Sequence, residues 1–181
     1  MRRVLGVLLV VAGLLYPFAV YYGMEQLSPR LFASVLGGLW LARALSHSGK
    51  PGGRWMALSA LIFCLLLGLA DEPALLRWYP VLVSGMLFAV FSLSLWLGPP
   101  LVERLARLRE PELPAIAVRY TRKVTQVWAG FFLANGLLTV SLIVYAPLSW
   151  WALYTGLISY ALIGLLFAVE WLVRQRVRRF E

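Results

Sequence analysis

Apolar residues run along this chain in long blocks, and charge is confined to short clusters between them. A helix crossing about 30 Å of hydrocarbon needs about 20 residues at about 1.5 Å each, and about 17 at the short end. Six blocks fit that rule: residues 4–22, 31–45, 55–70, 78–97, 124–144 and 150–170. The last two come from one stretch, Val124 to Val169, whose 46 residues carry no charge. It is too long for one crossing and right for two. Tyr145-Ala146-Pro147-Leu148-Ser149 supplies the turn, because proline lacks the N–H that would continue the helical ladder. The fold class expected is all-α, a polytopic transmembrane helical bundle forming one integral membrane domain over residues 1–181.

The second block is the doubtful one. Only 12 uncharged residues separate Arg30 from Arg43, so the block spans only if both arginines snorkel to opposite interfaces. Positive residues near span ends stay cytoplasmic, which tests the alternatives. With six spans and the N-terminus inside, 15 Lys and Arg lie on the cytoplasmic side and two, Arg30 and Arg77, lie outside. With five spans and the N-terminus outside, the division is 14 to three. Both alternatives stay open. Both put the loop after residue 97 and the basic tail 171–181 in the cytoplasm, and both imply a bacterial-type inner membrane.

The first block follows Met1-Arg2-Arg3 and so resembles a secretory leader, but no small-x-small cleavage site follows it. It is expected to remain as the first span. Tyr21, Tyr22, Trp55, Trp78, Tyr79, Trp128, Tyr145, Trp150, Trp151 and Trp171 fall near proposed span ends. Amphipathic rings prefer the headgroup level, so they read as interfacial anchors.

Gly98 to Glu112 is the most informative segment outside the blocks. Pro99 and Pro100 end one helix and open another over about residues 100–110. Leu101, Val102, Leu105 and Leu108 share one face; Glu103, Arg104, Arg107 and Glu110 share the other, with Glu103 placed to pair with Arg107. This is the pattern of a short helix lying in the cytoplasmic interface. Pro111 and Pro114 stop it.

Composition agrees with the block pattern. Hydrophobic residues make up 61% of the chain, against about 45–50% in a soluble domain. The net charge of +9 is what positive-inside insertion leaves behind, so nucleic-acid binding is not expected. Two readings of the basic residues remain open. Arg104, Arg107, Arg119, Arg122 and Lys123, with Arg174, Arg176, Arg178 and Arg179 in the tail, either serve insertion alone or also contact lipid headgroups or an acidic partner. Glu170 and Arg174 have the spacing of an i,i+4 pair.

Candidate chemistry is sparse. The chain has one His and one Cys, His47 in a glycine-rich loop and Cys64 inside a block, and no nucleophile-elbow, metalloprotease or phosphate-loop spacing. No catalytic residue, cofactor or metal site is expected. One polar residue does lie deep: Asn135 is 12 residues before Pro147 and Tyr160 is 13 after it, so the hairpin puts the two at one depth, where a hydrogen bond would satisfy both. Gly130 with Ala134, and Gly164 with Ala168, have the spacing that permits close helix approach, and assembly into oligomers is left open.

The stretches Pro99-Pro100-Leu101-Val102-Glu103-Arg104-Leu105, Glu110-Pro111-Glu112-Leu113-Pro114, Arg119-Tyr120-Thr121-Arg122 and Val127-Trp128-Ala129-Gly130-Phe131-Phe132-Leu133-Ala134-Asn135-Gly136 resemble a family of small inner-membrane proteins. Its members are encoded beside acyl carrier proteins, ketosynthases and dehydratases in aryl-polyene (xanthomonadin-like) lipid clusters. A weaker similarity, on Pro100-Leu101, Glu103-Arg104, Pro114, Trp128, Phe131-Phe132 and Gly136, is to YciB-type proteins of the intracellular septation A family. The first resemblance implies a non-catalytic accessory or scaffold protein tied to envelope lipid or aryl-polyene assembly. Its implied partners are membrane lipids and acyl carrier or other cluster proteins. Neither family supplies a catalytic residue. A small lipid transporter or flippase subunit and a membrane-embedded acyl-transfer enzyme are the alternatives; either would require a crevice converging on polar groups.

Overall fold

A computed structural model describes residues 11, 15–23, 29–46, 51–70, 72–108 and 110–177. Among these the regular structure is entirely helical: α1 over 15–23, α2 (Pro29–Ser46), α3 (Pro51–Ala70), α4 (Pro73–Leu76), α5 (Tyr79–Trp96), α6 (Leu101–Arg107), α7 (Ala115–Tyr145), α8 (Leu148–Leu153) and α9 (Ser159–Val177). A π-helical turn, Tyr154–Ile158, joins α8 to α9. Three stretches are long and apolar enough to cross a membrane: Ala74–Trp96, Ala115–Tyr145 and Leu148–Gln175. They correspond to the last three expected spans, and the break between the final two falls at Pro147. Helices do form over the second and third blocks. Their apolar stretches, Ala33–Ala42 and Ala60–Ala70, are shorter, and 10 residues of helix cover about 15 Å, half the hydrocarbon. The first block falls largely outside the described residues, as do His47, Arg109, Arg178, Arg179 and the side chain of Arg176.

The chain divides into two compact units. The first comprises Met1–Leu82 and Thr139–Leu157. Here α2 and α3 form an antiparallel pair that approaches through small residues. A Cβ on Gly37 would lie 3.5 Å from the Cβ of Cys64, and one on Gly68 would lie 3.5 Å from the Cβ of Ala33. Small residues at these positions are what permit so close an approach. The hydroxyl of Tyr16 donates to the carbonyl of Leu76 at 2.7 Å, and its ring packs 4.7 Å from that of Tyr79. Phe63 meets the other side of Tyr79, whose hydroxyl accepts from the Trp40 indole at 3.4 Å.

Arg77, expected to be an outer-surface charge, turns inward at the α4–α5 junction. Its Nη2 donates to the carbonyls of Leu142 (3.2 Å), which also accepts the Ala146 N–H, and Ala146 (3.3 Å), at the end of α7. Its guanidinium also lies 6.0 Å from the ring centre of Trp151, within cation–π range. At the π turn Thr155 donates to the carbonyl of Trp151 (2.7 Å), and Gly156 lets Phe18 approach: a Cβ there would sit 2.8 Å from the ring.

The second unit comprises Val83–Leu138 and Ile158–Glu181. Val124, Trp128 and Phe132, one helical turn apart on α7, make its core. Trp128 packs 4.6 Å from Phe167 of α9, and Phe91 of α5 closes on Phe132 at 5.4 Å. This corrects the reading of Trp128 as an interfacial anchor, for only 6% of it is exposed. Trp151 and Tyr79 of the first unit are buried too, whereas Tyr22, Tyr145, Trp150 and Trp171 stay exposed as an aromatic belt would be. Periodicity places a ring at a depth; it does not say which way the ring points.

The α2–α3 contact has a direct test. The Cβ separation at Gly37 and Cys64 lies at the short end of the disulfide range of about 3.5–4.5 Å. A Gly37→Cys variant should lose thiol reactivity at both cysteines on mild oxidation, read by alkylation and mass spectrometry. Gly38→Cys, which has nothing within 4 Å, should not.

Candidate functional site

The α5–α6 connection is built from main-chain acceptors and arginines. Gly98 takes a φ of +115°, which an L side chain rarely adopts, in the bend directly after α5. Arg104 then reaches back, Nε to the Pro99 carbonyl (2.6 Å) and Nη2 to that of Leu97 (3.2 Å), while Arg122 on α7 donates to the Leu95 carbonyl (3.4 Å). The exposed N–H groups at the start of α6 are met by hydroxyls: Leu101 N–H by Ser94 (3.0 Å) and Val102 N–H by Thr125 (3.4 Å). Thr125 itself donates to the Thr121 carbonyl at 2.8 Å. Hydroxyls on α5 and α7 therefore fix α6 at its N-terminal end.

The expected polar face of α6 divides. Glu103 is buried, only 5% exposed, beneath Arg107, whose Nε and Nη2 both lie 2.8 Å from its Oε1. Arg107 Nη1 donates to the Pro111 carbonyl at 2.9 Å and so ties the following loop to the helix. Leu105 and Leu108 are exposed, as a face set into lipid would be. Of the basic residues singled out in the sequence, Arg104, Arg107 and Arg122 thus give their donors to the protein itself. Arg119 and Lys123 are exposed on α7 and make no ion pair among the described residues.

Between α5, α6, α7, α9 and the 110–114 loop lies a cleft of about 800 Å³, inside the range of about 300–1,000 Å³ usual for small-molecule sites. At one end are Leu87, Phe132 and Ile163, then the rings of Phe91, Trp128 and Phe167. At its other end the lining turns polar, with Glu110, Tyr120, Thr121, Glu170 and Arg174. The Tyr120 hydroxyl donates to the Glu170 carbonyl at 3.0 Å and lies 3.5 Å from its Oε1. Glu170 thus takes a phenol rather than forming the spaced pair with Arg174, and Arg174 makes no ion pair among the described residues.

The length of the cleft is informative. From Tyr120 to Phe132 is 12 residues of α7, about 18 Å; from Ile163 to Arg174 is 11 residues of α9, about 17 Å. Half the hydrocarbon of a bilayer is about 15 Å. Leu87, Phe132 and Ile163 fall near the centres of blocks 78–97, 124–144 and 150–170. The apolar end therefore lies near the middle of the three membrane-length helices, and the polar end at the level of Arg119, Arg122 and Lys123.

Asn135 lies just beyond the cleft and is buried; its amide donates to Ser84 Oγ at 3.0 Å, with Gly136 alongside so that α5 and α7 approach closely. The hairpin count that paired Asn135 with Tyr160 also brings Trp128, 19 residues before Pro147, opposite Phe167, 20 after it, and those rings touch. Ser84 was not foreseen, since nothing in one sequence gives the register of α5 against α7. Tyr120 and Glu170 were missed because they stand 27 residues before and 23 after Pro147, about one helical turn out of step, so counting from the hairpin does not join them. Gly130, Ala134, Gly164 and Ala168 all face outward, and a Cβ on Gly130 or Gly164 would meet nothing within 4 Å. No His, Cys, Asp and Glu grouping that could hold a metal occurs among the described residues.

No family model matches this chain, and neither a curated protein nor a solved structure matches it.

The Asn135–Ser84 bond should be measurable by a double-mutant cycle. Asn135→Leu and Ser84→Ala should each lower thermal stability in detergent, with a coupling of about 0.6–1.7 kcal/mol. Strictly additive losses would mean that the pair contributes nothing.

Proposed function

We propose that this protein is a non-catalytic accessory protein of a bacterial inner membrane that holds one amphiphilic lipid, or the acyl chain of one, in the cleft of its second unit. In this reading the chain makes six crossings, with the C-terminus and the α6 segment in the cytoplasm, and the cleft opens to the cytoplasmic leaflet. The single observation that carries it is the cleft: about 800 Å³, apolar to mid-bilayer depth and polar only at the interfacial end. At about 30 Å³ for a water-sized group, that volume holds on the order of 25 such groups, the bulk of a single-chain lipid. The same depth argues against a flippase, which needs a polar route past the midplane, whereas here the cleft ends at Phe132 and its lining from Val124 to Phe132 is apolar.

The resemblance to proteins of aryl-polyene clusters fits this role, since such assembly requires acyl intermediates to be held at the membrane. Arg119 and Lys123 stand exposed at the level of the cleft's polar end and suit an acidic acyl carrier protein, because opposite charge steers such encounters. Arg104, Arg107 and Arg122, already engaged with the protein's own acceptors, are assigned to holding the mouth in shape.

Filling the cleft tests the reading. Ala117 lines it, so Ala117→Phe should reduce by about tenfold the single lipid retained through native mass spectrometry in detergent, a loss of about 1.4 kcal/mol. Ala134→Phe, on the outward face of α7, should leave retention unchanged. Equal retention in both variants would remove the cleft as the site.

A further inference from the structure

The polar end of the cleft has a charge inventory that points to a particular headgroup. Arg174 offers a half-buried guanidinium with no ion pair among the described residues. Glu170, one turn earlier on α9 and also half-buried, offers a carboxylate whose hydrogen bond from Tyr120 is the long one at 3.5 Å; the shorter bond goes to the main-chain carbonyl. A fatty acid would satisfy Arg174 but set its own carboxylate against that of Glu170, and like charges in a partly dry site repel. A cationic amphiphile would satisfy Glu170 and oppose Arg174. A head carrying both signs matches the site, with its phosphate bound by the planar guanidinium fork.

We infer that the cleft selects a zwitterionic aminophospholipid of the adjoining leaflet, with its phosphate on Arg174 and its primary ammonium on Glu170. The inference rests on the lipid-holding reading above and adds the headgroup to it. A primary ammonium donates three hydrogen bonds, which a carboxylate can accept; a quaternary choline donates none. An anionic glycerol head keeps the phosphate contact but brings no cation for Glu170. The apolar length, about one leaflet, lets the chain reach Phe132 while the phosphate stays at the level of the bilayer surface.

The test uses the full-length protein in detergent, with equimolar lysophosphatidylethanolamine, lysophosphatidylglycerol and lysophosphatidylcholine of one chain length, and counts bound lipid by native mass spectrometry. The ethanolamine form should be retained about tenfold over either competitor. Glu170→Gln, which keeps an acceptor for Tyr120, should abolish the preference over choline while retention persists. Arg174→Gln should lower all three phosphate lipids, and Arg174→Lys should restore part of the loss, which a folding defect would not allow. Equal retention of all three heads, or preference for the glycerol form, would overturn the headgroup assignment and leave the cleft as a lipid site. If wild-type protein retained none of them and Ala117→Phe had no effect, the lipid-holding reading itself would fall.

Discussion

A helix ending at the edge of hydrocarbon leaves its last carbonyls without intrahelical donors, and in lipid an unmet carbonyl is costly. Arginine is the side chain best able to remedy this, with five donors on a stem long enough to reach back from a neighbouring element. Three arginines do so here. Arg77 holds carbonyls at the end of α7, and Arg104 and Arg122 hold those around the end of α5. Because each donor comes from a different element than the acceptor, each bond also fixes a neighbour in place. Helix ends that would otherwise fray become the joints of the structure.

The cleft depends on that constraint. Gly98 turns the chain between α5 and α6, and Arg104 ties that turn down. Ser94 and Thr125 then meet the first N–H groups of α6, and burial of Glu103 under Arg107 settles its rotation. Val102, Leu105 and Ala106 line the cleft, and Val102 packs against the cluster of Val124, Trp128 and Phe132. Under the proposed function this cleft takes an acyl chain, and the hydroxyl, carboxylate and guanidinium groups at its polar end orient it.

Charge near the membrane surface consequently divides by role. Positive-inside counting treats each Arg and Lys alike, yet Arg104, Arg107 and Arg122 serve the fold while Arg119 and Lys123 remain outward. Arg174 differs again, being the basic residue among them that lines the cleft. Such a split follows from hydrogen-bond geometry, which sets a guanidinium's partner by ångströms, whereas insertion responds only to the summed charge of a loop.

Block length and the 46-residue uncharged run were sufficient for the helical class, the last three membrane-length helices and the turn at Pro147, because hydrocarbon thickness and the rise of a helix are fixed quantities. The depth of a residue was legible for the same reason, and within the α7–α9 hairpin so were facing pairs such as Trp128 and Phe167. Direction was not. That Trp128 faces a core and not the headgroups, that Glu103 is buried, and that Asn135 meets Ser84 on α5 depend on how each helix is rotated and on which neighbour it packs against. Lipid supplies little guidance there, since every apolar face is equally at ease in it, so rotation is decided by close packing and polar bonds between elements distant in the chain. The cleft belongs wholly to that second kind of information, for it exists only where five separate segments fail to close on one another.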